Sequence, residues 1–84
     1  MLKIYGSELC FKCRDCKAAF DEKGIDYEFF DINESLDNLK VFLKYRDTNP
    51  LFDEAKQEGR IGLPCIIRED GSITMNWQQI AENA

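Results

Sequence analysis

Four cysteines are the residues of this sequence that could do chemistry most directly, and three of them lie together in the segment CFKCRDC. Cys10, Cys13 and Cys16 recur at every third position, so two CxxC spacings overlap, and Cys65 stands apart from them. Nothing in the sequence indicates secretion, and cysteines at this spacing are then more often catalytic or metal-binding than structural. A redox site, a metal site or a set of buried thiols would each fit.

The pair Cys10 and Cys13 has the spacing of a redox-active dithiol. A thiol at the first turn of a helix lies beside unpaired backbone N–H groups and the positive end of the helix dipole, which both stabilise a thiolate. We expect Cys10 to occupy that place as the nucleophile, with Cys13 one turn deeper on nearly the same face, so that the pair can close and reopen a disulfide. Three nearby basic side chains add positive charge: Lys12, Arg14 and Lys17. Acidic neighbours partly offset this charge.

Cys16 and Cys65 lie outside this dithiol, and three interpretations of them stay open. They could be half-buried spectators, auxiliary thiols in redox exchange, or two of four ligands in a zinc or iron–sulfur site. If residues 10–16 form one helix, Cys10 and Cys16 point about 120° apart, so a site using all four cysteines would require the helix to unwind. We therefore expect no metal ligand among these residues.

Composition and charge exclude several classes of function. The 84 residues fit a single domain, residues 1–84, with a small core. A net charge of −5 without a run of Lys and Arg argues against nucleic-acid binding. No signal peptide and no stretch of about 18 apolar residues is present, so we expect no membrane span and a cytoplasmic monomer. Without histidine, no His-assisted nucleophile or His metal ligand is available.

The first half of the chain has the pattern of a β-α-β unit. Residues 2–5 alternate as a strand does, ahead of a predicted turn at Gly6-Ser7 and a helix that ends at Gly24. The segment IDYEFFDI places apolar side chains on both faces, which predicts a second strand parallel to the first and covered on both sides. Three residues of the helix are expected to pack inward: Ala18, Ala19 and Phe20.

The second half predicts two helices, a hairpin and a last helix. Ser35 can cap a helix that DTNP interrupts, and Pro50 can begin another that ends at Gly59. LPCIIREDGSITM reads as two strands around a turn, and Asn76 can cap a helix through Asn83. The order βαβα(α)ββα predicts an α/β, thioredoxin-like fold: a central four-stranded mixed sheet flanked by helices.

The segment Gly62-Leu63-Pro64 precedes the third predicted strand. A proline there suits a cis peptide bond that exposes the preceding backbone, so Leu63 could pair its main chain with an extended thiol substrate. A plain proline on an edge strand is the alternative interpretation.

Three segments, KIYGSELCFKC, EKGIDYEFFDIN and GLPCII, resemble the glutaredoxin family in the same order over nearly the whole chain. The resemblance implies a thioredoxin fold, Cys10 as the attacking thiolate, Cys13 as the resolving thiol and Pro64 as the cis-proline facing them. It also implies a thiol-disulfide oxidoreductase that reduces protein disulfides or glutathione mixed disulfides, with no bound cofactor and with glutathione as a possible reductant. Candidate substrate-binding residues are then Phe11, Lys12, Leu63 and Pro64.

The sequence also departs from the glutaredoxin pattern. Many glutaredoxins have a di-glycine that leaves a groove for glutathione, whereas this chain has ITMNWQQ at that place. Three side chains are expected to crowd the groove: Thr74, Met75 and Asn76. We therefore expect protein disulfides to be preferred over glutathione mixed disulfides. Residues 45–61 form a longer connection than is usual in the family, called the added segment below. A reductase of arsenate type is an alternative that would need arginines near the thiolate: Arg14, Arg60 and Arg68.

Overall fold

In a computed structural model that describes residues 1–84, the chain builds one four-stranded mixed sheet. The strands are β1 (Leu2–Gly6), β2 (Tyr27–Asp31), β3 (Cys65–Ile67) and β4 (Ile73–Thr74). Their spatial order is β2-β1-β3-β4, in which β1 runs parallel to β2 and antiparallel to β3, and β3 runs antiparallel to β4. The predicted mixed sheet, the parallel first pair and the C-terminal hairpin are confirmed.

Helices occupy the connections between these strands. They are α1 (Phe11–Lys23), α2 (Leu36–Thr48), α3 (Asp53–Gln57) and α4 (Trp77–Glu82), and a 3₁₀ turn over Pro50–Phe52 leads into α3. The predicted order βαβα(α)ββα is therefore confirmed. None of these helices has the length and apolar character that a membrane crossing would require.

Capping residues set the helix ends where the sequence predicted them. The Ser35 hydroxyl accepts hydrogen bonds from the Asp37 and Asn38 N–H groups at the start of α2. The Asn76 side chain accepts one from the Gln79 N–H, which starts α4, although this helix ends one residue before Asn83. Gly24 ends α1 in the left-handed conformation at φ 69°, which glycine adopts without steric cost.

The sheet separates two apolar clusters because successive strand residues point to opposite faces. The first cluster is Ile4, Cys16, Phe20, Ile66 and Ala81. The second cluster is Tyr5, Phe42, Phe52, Cys65 and Ile67. Strand β2 contributes to both, with Tyr27 and Phe29 against the first cluster and Phe30 against the second, so the prediction that it is covered on both faces is confirmed.

Two local predictions are wrong. Ala18 is exposed, because α1 turns Cys13, Cys16 and Phe20 toward the sheet and Ala18 lies on the other side of the helix. The first turn is not at Gly6-Ser7: Gly6 still pairs with Asp31 as the last residue of β1, and Ser7 is buried. The chain turns at residues 8–9 instead.

Candidate functional site

Cys10 lies immediately before α1, at its N-cap position, with φ −98° and ψ 116°. Its carbonyl accepts hydrogen bonds from the N–H groups of Cys13 and Arg14, each at 3.1 Å, and its own N–H donates to the Ser7 carbonyl at 3.1 Å. The other three cysteines are buried, whereas Cys10 is partly exposed. The helix start that the sequence predicted thus holds the one thiol of the chain that is partly open to solvent.

The first turn of α1 offers Cys10 free hydrogen-bond donors. The N–H groups of Phe11 and Lys12 donate no hydrogen bond inside the protein, because the first amides of a helix have no intrahelical partner. These amides and the dipole of the 13-residue helix favour negative charge at its amino end. Two unpaired amides and the positive end of the helix dipole therefore lie in the turn that follows Cys10.

Cys13 lies directly behind Cys10 and is fully buried. A Cβ atom added to Gly6 would lie 2.9 Å from the Cys13 sulfur and 3.0 Å from the Phe29 ring, so only glycine leaves room for this thiol at the end of β1. The pKa of Cys13 is raised to about 12, mainly by burial. A hydrogen bond with the Ser7 backbone lowers this pKa, whereas the Cys10 side chain raises it, both as a hydrogen-bond partner and as a like charge. Cys13 is therefore a neutral thiol in contact with Cys10.

Cys16 and Cys65 are packed on opposite faces of the sheet, one in each apolar cluster. Burial raises the pKa of each to about 12. Because the sheet lies between them, the four cysteines cannot surround one ion in this fold. No group of three Cys, Asp or Glu side chains is placed to hold a metal ion, so the four-cysteine alternative has no support from the geometry.

The three predicted basic neighbours differ in their surroundings. Lys17 forms an ion pair with Glu8 and lies 4.2 Å from the centre of the Phe29 ring, so its charge is compensated. Arg14 donates to the Glu8 carbonyl at 3.3 Å, and Lys12 is exposed and makes no ion pair. Lys12 and Arg14, rather than Lys17, are therefore the basic side chains of this region without an ion-pair partner.

The Leu63–Pro64 peptide bond is cis, as the sequence predicted. The β1–β3 pairing aligns Tyr5 with Cys65, and one step further it brings Pro64 beside Gly6, the glycine against which Cys13 packs. The N–H and C=O of Leu63 make no hydrogen bond inside the protein, and its side chain is half-buried. A pair of free backbone groups thus lies on the chain next to the buried proline, at the same end of the sheet as the dithiol.

The other predicted contact residues have mixed placements. The Phe11 side chain is 63% exposed beside Cys10, so it is free to contact a ligand. Met75 packs against the second cluster, close to Gly62, whereas Thr74 accepts a hydrogen bond from the Asn76 N–H at 3.0 Å. The turn from β4 to α4 is therefore filled by side chains that already have partners.

The arginines are not gathered around Cys10. Arg60 is paired with Glu58 at 2.8 Å and with Glu54 at 4.0 Å. Arg68 follows the end of β3 that pairs with Lys3, which is the end of the sheet away from Cys10. Of these three predicted arginines, only Arg14, whose N–H donates to the Cys10 carbonyl, lies in the turn next to the candidate nucleophile, so the arginine cluster expected for the arsenate alternative is not formed.

Sequence reasoning missed a polar network that holds the loop before Cys10. The Ser7 hydroxyl is buried and accepts hydrogen bonds from the Leu9 N–H, at 3.1 Å, and from the Asn33 side chain. The Asp31 carboxylate accepts from the Asn33 N–H at 2.7 Å and from the Glu8 N–H at 3.5 Å. The signal that could have found it is the position of these polar residues directly after β1 and β2, since parallel strands end at the same edge.

Comparison with known proteins places the chain in a family without adding a function. No protein-family model matches the sequence. An uncharacterized protein of Haemophilus influenzae is 30% identical over 77 residues, an alignment that covers 92% of this chain and 90% of that protein. The chain therefore belongs to the same family as this Haemophilus influenzae protein, and the two share nearly the whole domain.

Proposed function

We propose that this protein is a glutaredoxin-like thiol-disulfide oxidoreductase with a thioredoxin-like fold. One observation carries the proposal: the partly exposed Cys10 thiol at the amino end of α1 has the buried Cys13 thiol directly behind it. The free N–H and C=O of Leu63, beside the cis Pro64, support the proposal independently, because they offer a docking edge next to the dithiol.

The first chemical step is attack of the Cys10 thiolate on one sulfur of a substrate disulfide. A bond forms between Cys10 Sγ and that sulfur, the substrate S–S bond breaks, and the departing thiolate takes a proton from solvent. The free amides of Phe11 and Lys12 stabilise Cys10 before attack. The Leu63 backbone pairs with the extended chain of the substrate, and the exposed Phe11 ring contacts it.

The second step resolves the mixed disulfide. Cys13 loses its proton and attacks Cys10 Sγ, which forms the Cys10–Cys13 disulfide and releases the second substrate thiol. The raised pKa of Cys13 keeps it a thiol until this step, and the departing substrate thiolate can accept its proton. The substrate disulfide thereby gains two electrons from the protein and two protons, one from solvent and one from Cys13. Glutathione or another thiol reductant must then return the two electrons to the protein, together with the proton of Cys13.

This function suits a cytoplasmic protein that acts as a monomer on disulfide-containing proteins. In that compartment thiol reductants keep cysteines reduced, so an oxidised Cys10–Cys13 pair would be recycled. The protein itself needs no bound cofactor for the two steps, because both sulfurs belong to its own chain.

Substitution of the two cysteines separately tests the proposal. Cys10→Ser should abolish disulfide reduction, whereas Cys13→Ser should still attack and then stay joined to the substrate, because the resolving sulfur is missing. Intact-mass measurement detects the trapped adduct, and Cys16→Ser is the matched control that should retain turnover. Equal loss of activity in both variants, with no adduct in Cys13→Ser, would contradict the assignment.

A further inference from the structure

Arg46 of α2 holds the backbone that leads to the proposed docking edge. Its guanidinium group donates two hydrogen bonds, from Nε to the Ile61 carbonyl at 2.7 Å and from Nη2 to the Arg60 carbonyl at 2.9 Å. A guanidinium presents donors in a rigid planar fork, and hydrogen bonds from a charged donor are stronger than neutral ones. Two successive carbonyls, directly before Gly62 and Leu63, are therefore fixed by one side chain.

Packing restricts the same stretch from a second side. Gly62 is buried at φ 98°, and a Cβ atom there would lie 2.8 Å from the Phe52 ring. The Arg60 N–H also donates to the Ala55 carbonyl at 2.7 Å. The added segment, residues 45–61, contains all three of these contacts: Arg46, Phe52 and Ala55. The sequence predicted only an extra helix there. The first part of that segment, residues 46–55, therefore supports residues 60–62.

We propose that Arg46 is a positioning residue, which keeps the free N–H and C=O of Leu63 in place for the backbone of an extended disulfide substrate. This inference rests on the proposed function and assigns the added segment a part in it. The Leu63 backbone has no hydrogen-bond partner of its own, so its position depends on the packing of its half-buried side chain against the second cluster and on its neighbours in the chain. An edge that is already ordered binds an extended chain at a lower entropic cost than a mobile one.

The test compares two disulfides in Arg46→Lys and Arg46→Gln. One is a peptide disulfide with an extended backbone on both sides of the cysteine, and the other is bis(2-hydroxyethyl) disulfide, which has no peptide groups. In both variants KM for the peptide should rise about tenfold, whereas turnover of bis(2-hydroxyethyl) disulfide should stay within about twofold of the wild type. Arg46→Lys keeps the charge but loses the fork, so it separates positioning from electrostatics.

Lys44→Gln is the matched control. Lys44 is exposed on the same helix, and its replacement removes the same charge without touching residues 60–62. Both substrates should be reduced by this variant as by the wild type. A rise of the peptide KM in Lys44→Gln equal to that in Arg46→Gln would show that charge alone is responsible and would overturn the inference.

Amide hydrogen exchange supplies a readout that does not depend on activity. Exchange at Arg60, whose N–H donates to the Ala55 carbonyl, should accelerate about tenfold in the Arg46 variants, whereas exchange at Ile4 in β1 should not change. Unchanged exchange and an unchanged peptide KM would overturn the positioning role while leaving the proposed function intact. A wild-type protein that reduces neither disulfide would overturn the proposed function, and with it the substrate role of Arg46, before any variant is made.

Discussion

At the scale of single residues, burial separates the four thiols into one that is partly open to solvent and three that are not. A thiol takes part in exchange only if a disulfide can reach it and if it can lose its proton. Cys10 is partly exposed at a helix start, whereas burial raises the pKa of each of the other three to about 12: Cys13, Cys16 and Cys65. Of the three, only Cys13 contacts Cys10, which leaves it as the single partner for a disulfide.

The buried thiols predict a loss of stability at alkaline pH. Each has its ordinary pKa of 9.0 in the unfolded chain and a pKa of about 12 in the fold, so the folded state favours the neutral form. Their contribution is complete below pH 9 and is lost as the pH rises from about 9 to about 12. At pH 10 each thiol should lower the free energy of unfolding by about 1 kcal/mol.

Urea unfolding of the reduced protein at pH 8 and pH 10 measures this loss. Cys65→Ala is the control: whatever its stability at pH 8, its loss between the two pH values should be smaller than the wild-type loss by about 1 kcal/mol, because one buried thiol is absent. An identical loss in both proteins would mean that Cys65 ionises as readily in the fold as in the unfolded chain.

At the scale of elements, the loop between α3 and β3 is shaped by contacts with residues distant from it in the sequence. Gly62 has both a positive φ and a close neighbour, since the Phe52 ring leaves no room for a side chain. Gly59 also has a positive φ, of 74°, but nothing lies within 4 Å of the place where its Cβ would be. A side chain at Gly59 would meet only the cost of a positive φ, whereas one at Gly62 would also clash with the Phe52 ring. Comparing substitutions at the two glycines therefore separates the cost of the backbone conformation from the cost of the clash.

Gly62→Ala should destabilise the protein more than Gly59→Ala. Both substitutions place alanine in the left-handed region, at a cost of about 1 kcal/mol. Only Gly62→Ala also pushes a methyl group into a ring, which should add about 1–3 kcal/mol. Urea denaturation of the two variants measures the difference, and equal losses of stability would show that Phe52 moves aside freely.

The elements that the sequence predicted well are those specified by local signals. Ser35, Asn76 and Gly24 mark helix ends because capping depends on a few adjacent residues, and these ends are confirmed. The prediction for Ala18 was wrong because apolar character alone does not say which side of a helix meets the sheet. Two other features depend on tertiary packing, which no local pattern encodes. They are the faces of the sheet on which Cys16 and Cys65 lie, and the hydrogen bonds from Arg46 to the backbone before Gly62.

At the scale of the whole molecule, we expect surface charge and the filled turn after β4 to act together on the choice of substrate under the proposed function. The chain carries a net charge of −5, which repels an anionic tripeptide such as glutathione, although salt screens this beyond about 8 Å. Met75 packs near Gly62, and Asn76 caps α4, so neither leaves the open backbone that a di-glycine would provide. Under the proposed function, a protein disulfide would instead pair with the Leu63 backbone and contact the exposed Phe11.

We therefore expect a protein disulfide to be reduced faster than a glutathionylated peptide. Turnover of both substrates should be measured on one preparation with the same reductant at the same concentration. If the glutathionylated peptide is reduced faster by tenfold or more, a difference of roughly 1.4 kcal/mol in the barrier, then side chains at this turn do not exclude glutathione. The comparison leaves the roles of Cys10 and Cys13 untouched, since both substrates would use them.

The short distance along the chain between Cys10 and Cys13 also bears on how oxidation affects folding. A disulfide between them would enclose only the first turn of α1. By lowering the entropy of the unfolded chain, a disulfide that closes a loop of about four residues stabilises the fold by roughly 2 kcal/mol, whereas one that closes about a hundred residues gives nearly 5 kcal/mol. The oxidised protein would then be more stable than the reduced protein by roughly 2 kcal/mol, which corresponds to an unfolded fraction about thirtyfold smaller. Because proteolysis acts on the unfolded fraction, oxidation of Cys10 and Cys13 should lengthen the lifetime of the protein against proteolysis.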